Sequence, residues 1–192
     1  MIKKKNIIFL ILFFFFLFLN NSQASLQEKL ILKMEETETL SFNFVQKIAD
    51  NKEVGICFIK YPLLMKCNYK NEKKKIIISN GKTLAVIKKK YKKIYYYPIK
   101  KTPLYFILKK EEIINLIEKT QPIEINSKFV QFFYEDKKSN KIKILFDKKS
   151  LELKGWKTKD AYSNNVSFEI NSLIINNQIV DDFFKIPREE DL

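Results

Sequence analysis

From Leu40 onward the hydrophobic period of this chain is two, and turn residues interrupt it about every ten positions. A chain patterned this way cannot hide its apolar residues on helices. It has to build an antiparallel sheet with one strongly apolar face. Leu40, Phe42 and Phe44 alternate with Ser41, Asn43 and Val45 in the first such run. Further strands are predicted over 53–60, 64–70, 75–79, 83–88 and 92–97. Asn80-Gly81, between two β-rich runs, is the strongest short hairpin signal available. Five more runs follow at 127–135, 141–146, 151–157, 165–169 and 174–175.

Two segments break the pattern. Residues 25–38 read as one helix: Ser25 and Glu28 form a capping box, and Leu26, Leu30, Ile31 and Met34 make one stripe. In the middle of the chain, Thr102 as N-cap and Pro103 as first helical residue open a helix whose next five residues, 104–108, are all apolar. A second helical stretch covers 111–118. A helix apolar on every side must be buried or must cover something apolar. Long sheets curl as strands accumulate. The expectation is therefore a mainly β (α+β) domain, a curled antiparallel sheet with an N-terminal helix and a short helical insertion over its concave face. An apolar cavity beneath such a cover suits a lipid or acyl-chain ligand, and each buried methylene is worth about 0.8 kcal/mol.

The N-terminus stands apart. Three lysines precede an unbroken apolar run from Ile7 to Leu19, and Ser22-Gln23-Ala24 places small residues at the −3 and −1 positions. That order reads as a secretory signal peptide over 1–24, cleaved after Ala24, leaving one domain over 25–192. The run is shorter than the roughly 20 residues that a bilayer helix needs. Loss of the three leader lysines takes the net charge from +14 to +11. Nearly all of the positive charge is lysine, and Arg188 is the one arginine. Nucleic-acid binders favour arginine for bidentate contacts, so no nucleic-acid partner is expected. Anionic headgroups or acidic partners fit better.

Composition removes most chemistry. With no histidine there is no Ser-His-Asp or Cys-His catalysis and no histidine metal ligand. Three scattered glycines leave no phosphate-cradling loop. The acidic pairs Glu111-Glu112, Asp181-Asp182 and Glu189-Glu190 stand at helix starts or in the tail, where acids cap or are solvated. No catalytic residue, metal or cofactor is expected. Cys57 and Cys67 flank Tyr61-Pro62, and a turn centred on Pro62 makes them opposite neighbours on one face. A disulfide and a pair of small apolar core residues are both open readings.

The ordered motifs resemble one family. Phe42-x-Phe44-x-Gln46-Lys47, Gly55, 60–65 (Lys-Tyr-Pro-Leu-Leu-Met), 79–84 (Ser-Asn-Gly-Lys-Thr-Leu) and 102–108 (Thr-Pro-Leu-Tyr-Phe-Ile-Leu) resemble the opening strands, hairpin and lid of LolA-type outer-membrane lipoprotein carriers. Trp156, Asp160 and the closing 182–187 (Asp-Phe-Phe-Lys-Ile-Pro) resemble the later strands and terminal motif. The resemblance implies an unclosed antiparallel β half-barrel (LolA/LolB-like) capped by helices. It implies a monomeric periplasmic chaperone without catalysis. Such a protein receives acylated lipoproteins from an inner-membrane ABC-type exporter and passes them to an outer-membrane acceptor or to an anionic membrane surface.

Carry-over by position gives Phe42, Phe44, Met65, Tyr69, Tyr105 and Ile107 as cavity or lid residues. Leu84, Val86, Leu104 and Leu108 complete the lipid-binding set. Where the family carries an arginine that latches the lid, this chain has Tyr61, which offers one hydrogen bond and no charge. A ring-bearing position of the third strand is Cys67. The competing reading is a non-catalytic envelope sensor or scaffold on the same half-barrel. A hydrolase of envelope lipid or glycan finds no nucleophile arrangement in the chain.

Overall fold

A computed structural model describes residues 24–72, 74–135, 141–160 and 163–192. The leader expected at 1–24 lies outside the described residues except for Ala24. The elements are α1 (Leu26–Glu35), β1 (Thr39–Ile48), β2 (Asn51–Lys60), β3 (Leu64–Tyr69), β4 (Lys75–Asn80), β5 (Thr83–Lys88) and β6 (Lys93–Pro98). Then come α2 (Leu104–Leu108), α3 (Lys110–Lys119), β7 (Ile123–Glu124), β8 (Phe129–Glu135), β9 (Lys141–Asp147), β10 (Leu153–Lys159) and β11 (Asn165–Ile175).

Among the described residues, eleven strands form one antiparallel sheet in the order β6-β5-β4-β3-β2-β1-β11-β10-β9-β8-β7. The order explains the architecture. Strands β1 to β6 and β7 to β11 are two meanders joined by the β1–β11 pairing. Their outer strands, β6 and β7, remain edges, so the half-barrel is unclosed, as expected. The chain must cross from one edge to the other between β6 and β7, and α2 and α3 make that crossing. The insertion therefore lies over the concavity because of connectivity. Helix α1 packs against α3. The Gln27 amide donates to the carbonyls of Ile117 (2.6 Å) and Thr120 (3.1 Å), tying the two helices end to end.

The concave face carries the main core, including Phe42, Phe44, Phe132, Phe146, Trp156 and Phe168. A second, smaller cluster lies on the outer face of β4 to β6, where Ile78, Ala85, Ile87 and Ile94 meet Ile186 and Leu192 of the C-terminal segment. That segment is pinned along the way. Asn177 accepts from Thr39 Oγ1 and Ser41 Oγ, and Asp181 pairs with Lys60 at 2.5 Å.

Several boundaries differ from the expectation, each for a local reason. Helix α1 stops at Glu35. The Glu38 amide donates to Asn176 Oδ1 (2.7 Å), so the sheet claims residues that periodicity gave to the helix. The last two predicted strands are one, β11. A register shift between Ser41 and Asn43 of β1 and a left-handed Ser172 (φ 51°) flip the alternation midway, which hides its continuity in the sequence. Strand β10 begins at Leu153, because Asp147 Oδ1 accepts from the amides of Lys149 and Ser150 and holds a turn. Thr102 does not cap α2 with its side chain. Its hydroxyl donates to the Ile99 carbonyl instead (2.9 Å). Asn80-Gly81 makes the expected turn, with Gly81 at φ +92°.

Gly55 is a packing requirement. A Cβ there would stand 2.2 Å from the Asn68 carbonyl oxygen and 2.7 Å from the Phe44 ring. The Phe44 ring lies over the space a side chain would fill. Gly55→Ala is expected to lower stability by about 1–3 kcal/mol, read as a lower urea midpoint at unchanged slope.

Candidate functional site

Directly opposed residues of neighbouring strands share a face, so the register lists the concave surface row by row. One row runs Phe42, Cys57, Cys67, Ile77, Val86, Tyr95 across β1 to β6. The next runs Leu40, Ile59, Met65, Ser79, Leu84, Tyr97. In the other meander, Gln46, Phe168, Trp156, Ile144 and Phe132 stand side by side. The period-two sequence thus delivers a wall of rings and aliphatic chains with few polar atoms.

Between this wall and the insertion lies a cavity of about 220 Å³. Met65, Cys67, Tyr69, Ile77 and Leu84 line it from one meander. Ile48, Ile142, Trp156, Val166 and Phe168 line it from the other, and Thr102, Pro103, Leu104 and Ile107 cover it. The polar groups at the wall satisfy one another: Tyr69 Oη donates to Gln46 Oε1 at 2.8 Å. Burial, reinforced by the charge of Glu53, holds the Tyr69 phenol well above its usual range, so it stays a neutral donor. Thr158, Lys159 and Asp160 mark the polar end of the lining.

Five of the ten residues expected to contact lipid therefore line the cavity: Met65, Tyr69, Leu84, Leu104 and Ile107. Phe42 and Phe44 lie in the buried core behind it, packed on Phe168, with ring centroids 6.1 and 4.7 Å away. Leu108 is fully buried, and Val86 and Tyr105 are half-buried away from the cavity wall. Phe168 and Trp156, stacked at 4.2 Å, are wall residues outside the expected lipid-binding set; Trp156 entered the sequence reading only as a motif residue, and Phe168 not at all. The alternation of β10 and β11 held the signal, but the facing of the two meanders did not follow from it.

Cys57 and Cys67 stand opposite one another, with Cα atoms 4.0 Å apart, and are joined by a disulfide. The bridge lies on the concave face, and Cys67 contributes to the cavity wall.

The lid is not held by Tyr61. Its hydroxyl is buried and has no hydrogen-bond partner among the described residues. Burial raises its pKa well above the ordinary phenol value. The neighbouring backbone makes the connection instead. Leu63 N–H donates to the carbonyl of Leu108, the last residue of α2 (2.8 Å), and Ser79 Oγ donates to the Leu63 carbonyl (2.6 Å). Lys110 Nζ adds bonds to the carbonyls of Glu35 (2.9 Å) and Thr37 (3.1 Å). Phe106 stacks on Tyr134 at 4.5 Å. Tyr61→Phe is expected to leave thermal stability unchanged or to raise it by about 1 kcal/mol, since it removes an unpaired buried hydroxyl. A fall in stability would restore a bonding role to that oxygen.

A family model described as outer membrane lipoprotein carrier protein LolA matches residues 35–187. No curated protein matches the chain in sequence. Among solved structures, an uncharacterized conserved protein from Thermus thermophilus superposes with a TM-score of 0.51 at 6% identity, covering 83% of this chain and 93% of its own. A LolA superfamily protein from Nitrosomonas europaea gives a TM-score of 0.44 at 8% identity, covering 85% and 99%. The MucA/MucB complex of Pseudomonas aeruginosa gives 0.49 at 8%, covering 86% of this chain and 62% of that one.

Proposed function

The chain belongs to the LolA family of outer membrane lipoprotein carrier proteins, and from that premise we propose that it is a non-catalytic periplasmic chaperone for acylated lipoproteins. The observation that carries the reading is the apolar cavity beneath an apolar lid. Acyl chains bring no directional polar groups, and about 0.8 kcal/mol per buried methylene gives tight binding without them. In the closed form the cavity is smaller than the roughly 300–1,000 Å³ of ordinary ligand pockets. Loading therefore requires the lid to lift, breaking the Leu63–Leu108 backbone bond and the Lys110 contacts.

Met65, Tyr69, Leu84, Leu104 and Ile107 meet the first acyl chain. Phe42, Phe44, Val86, Tyr105 and Leu108 come within reach as the lid and wall separate. The donor is an inner-membrane ABC-type exporter. The recipient is an outer-membrane acceptor or an anionic membrane.

Native mass spectrometry tests the reading. The protein is recovered from a periplasm that contains a tagged triacylated lipoprotein. A one-to-one complex is expected, and it disappears when the acylated cysteine of the lipoprotein is removed. Bare protein, recovered while a control carrier keeps its cargo, would overturn the carrier reading and leave an envelope sensor or scaffold on the same half-barrel.

A further inference from the structure

The charge of this chain is unevenly placed. Residues 73–110 hold thirteen lysines and no aspartate or glutamate. Many of them lie on one edge of the half-barrel. The 3-10 turn Lys89–Tyr91 joins β5 to the edge strand β6. Lys89, Lys90, Lys92 and Lys93 are exposed around that turn, and Lys100 and Lys101 follow the strand. Four tyrosines are interleaved with them: Tyr91, Tyr95, Tyr96 and Tyr97 are 53%, 44%, 55% and 46% exposed. Exposed rings at this density are unusual beside solvated lysines, which need no aromatic company to stay in water.

The register shows where the rings lead. Tyr97 is directly opposite Leu84, a cavity-wall residue, and Tyr95 is directly opposite Val86. Both tyrosines therefore continue the concave surface outward from the wall to the sheet edge. Lys88 Nζ lies 5.0 Å over the Tyr95 ring, and Lys93 faces Lys88 across the hairpin. The same edge strand runs through Pro98 into the residues that open the lid. A body resting on this edge touches the approach to the cavity and the root of the lid together.

We propose that the β5–β6 edge is a docking surface for an anionic lipid bilayer. Tyrosine and lysine both keep a polar tip in water while burying an apolar body, as the headgroup region requires. Lysine is a point charge suited to a diffuse anionic surface, whereas planar, bidentate recognition of a protein carboxylate favours arginine. Strand addition by a protein partner is poorly served here. Ile94 N–H is already taken by Glu189 Oε1 at 2.9 Å, and Pro98 has no N–H. By the alternation of antiparallel ladders, Tyr96 is left as the open donor between them. The two acids that follow Glu189 are engaged with Arg188: Glu190 at 2.7 Å and Asp191 at 3.2 Å. Docking this way brings the cavity approach against the membrane, so acyl chains pass between carrier and bilayer with little exposure to water. This purpose rests on the carrier reading; the docking itself does not.

Flotation with vesicles of phosphatidylcholine, alone or mixed with phosphatidylglycerol, tests the proposal on processed protein recovered from the envelope. The wild type is expected to float only with the mixed vesicles and to release as salt rises. Changing Lys89, Lys90, Lys92 and Lys93 to Gln is expected to lower affinity about fivefold per lysine. Tyr95→Ser with Tyr97→Ser is expected to weaken binding at every salt concentration. A charge-matched control changes Lys47, Lys141, Lys143 and Lys157, which lie around a different, outer-face groove, and is expected to keep its affinity. Equal flotation with both vesicles, or loss in the control set alone, overturns the proposal. So does photocrosslinking at position 96 that captures an envelope protein and no lipid. Binding of a fluorescent fatty acid in membrane-free buffer is measured in parallel. Failure there by the wild type refutes the carrier reading and leaves the docking result standing.

Discussion

Leu104→Glu is expected to weaken acyl-chain binding by roughly a hundredfold or more in a protein that remains folded. Leu104 opens α2 and lines the cavity, yet it is only half-buried. A carboxylate there reaches water in the unloaded form, so the fold tolerates it. An acyl chain entering the cavity would strip that water away, and an unpaired polar group costs about 2–7 kcal/mol to desolvate, an ionised one more. A fluorescent fatty acid titration reads the loss, and circular dichroism with urea unfolding verifies the fold. Val54→Glu supplies the control, since Val54 is 37% exposed and lies outside the cavity wall. Equal losses in both variants would separate acyl binding from this cavity.

Phe168→Ala is expected to cost about 3–5 kcal/mol of folding stability, the range for removal of a large buried ring. Phe168 is the hub of the concave face. It stacks on Trp156 at 4.2 Å and on Phe44 at 4.7 Å, and it meets Phe42 edge-on at 6.1 Å. Those partners come from strands β1 and β10 on either side of β11, so the ring binds the two meanders together. For a chain of this length the loss corresponds to a melting point lower by about 6–20 °C. Ile174→Ala, at a position 59% exposed, is expected to change stability by less than about 0.5 kcal/mol. A Phe168→Ala protein as stable as the wild type would mean that the aromatic stack is incidental to the fold.

Much of this organisation was legible because it is local or periodic. Alternation over residues 40–45 forecast a strand with Phe42 and Phe44 on one face, and both are buried together. The Ser25–Glu28 capping box forms as read, with each side chain bonded to the other residue's backbone. Parity around Pro62 placed Cys57 opposite Cys67, but parity could not decide between a disulfide and two packed thiols. The continuous β11 reads as two strands in the sequence because its irregularity shifts the hydrophobic period midway. Tyr61 shows another limit. The resemblance to a family with a latching arginine at this place invited a bonding role, while the bond to the lid is made by the backbone of Leu63, which carries no sequence signature.

What the sequence determined by itself is the inventory: a sheet with one aromatic face, a helix at its start, an apolar insertion at its middle, and thirteen lysines without an acid beside it. Those follow from side-chain chemistry and near-neighbour spacing, which act within a few residues. Which parts meet was decided by tertiary structure. The β1–β11 pairing joins residues more than a hundred positions apart. That pairing sets Trp156 and Phe168 against Met65 and Tyr69 and makes the insertion a roof. Nothing in the spacing of any single strand specifies a contact between two faces that come together only after the whole sheet has curled.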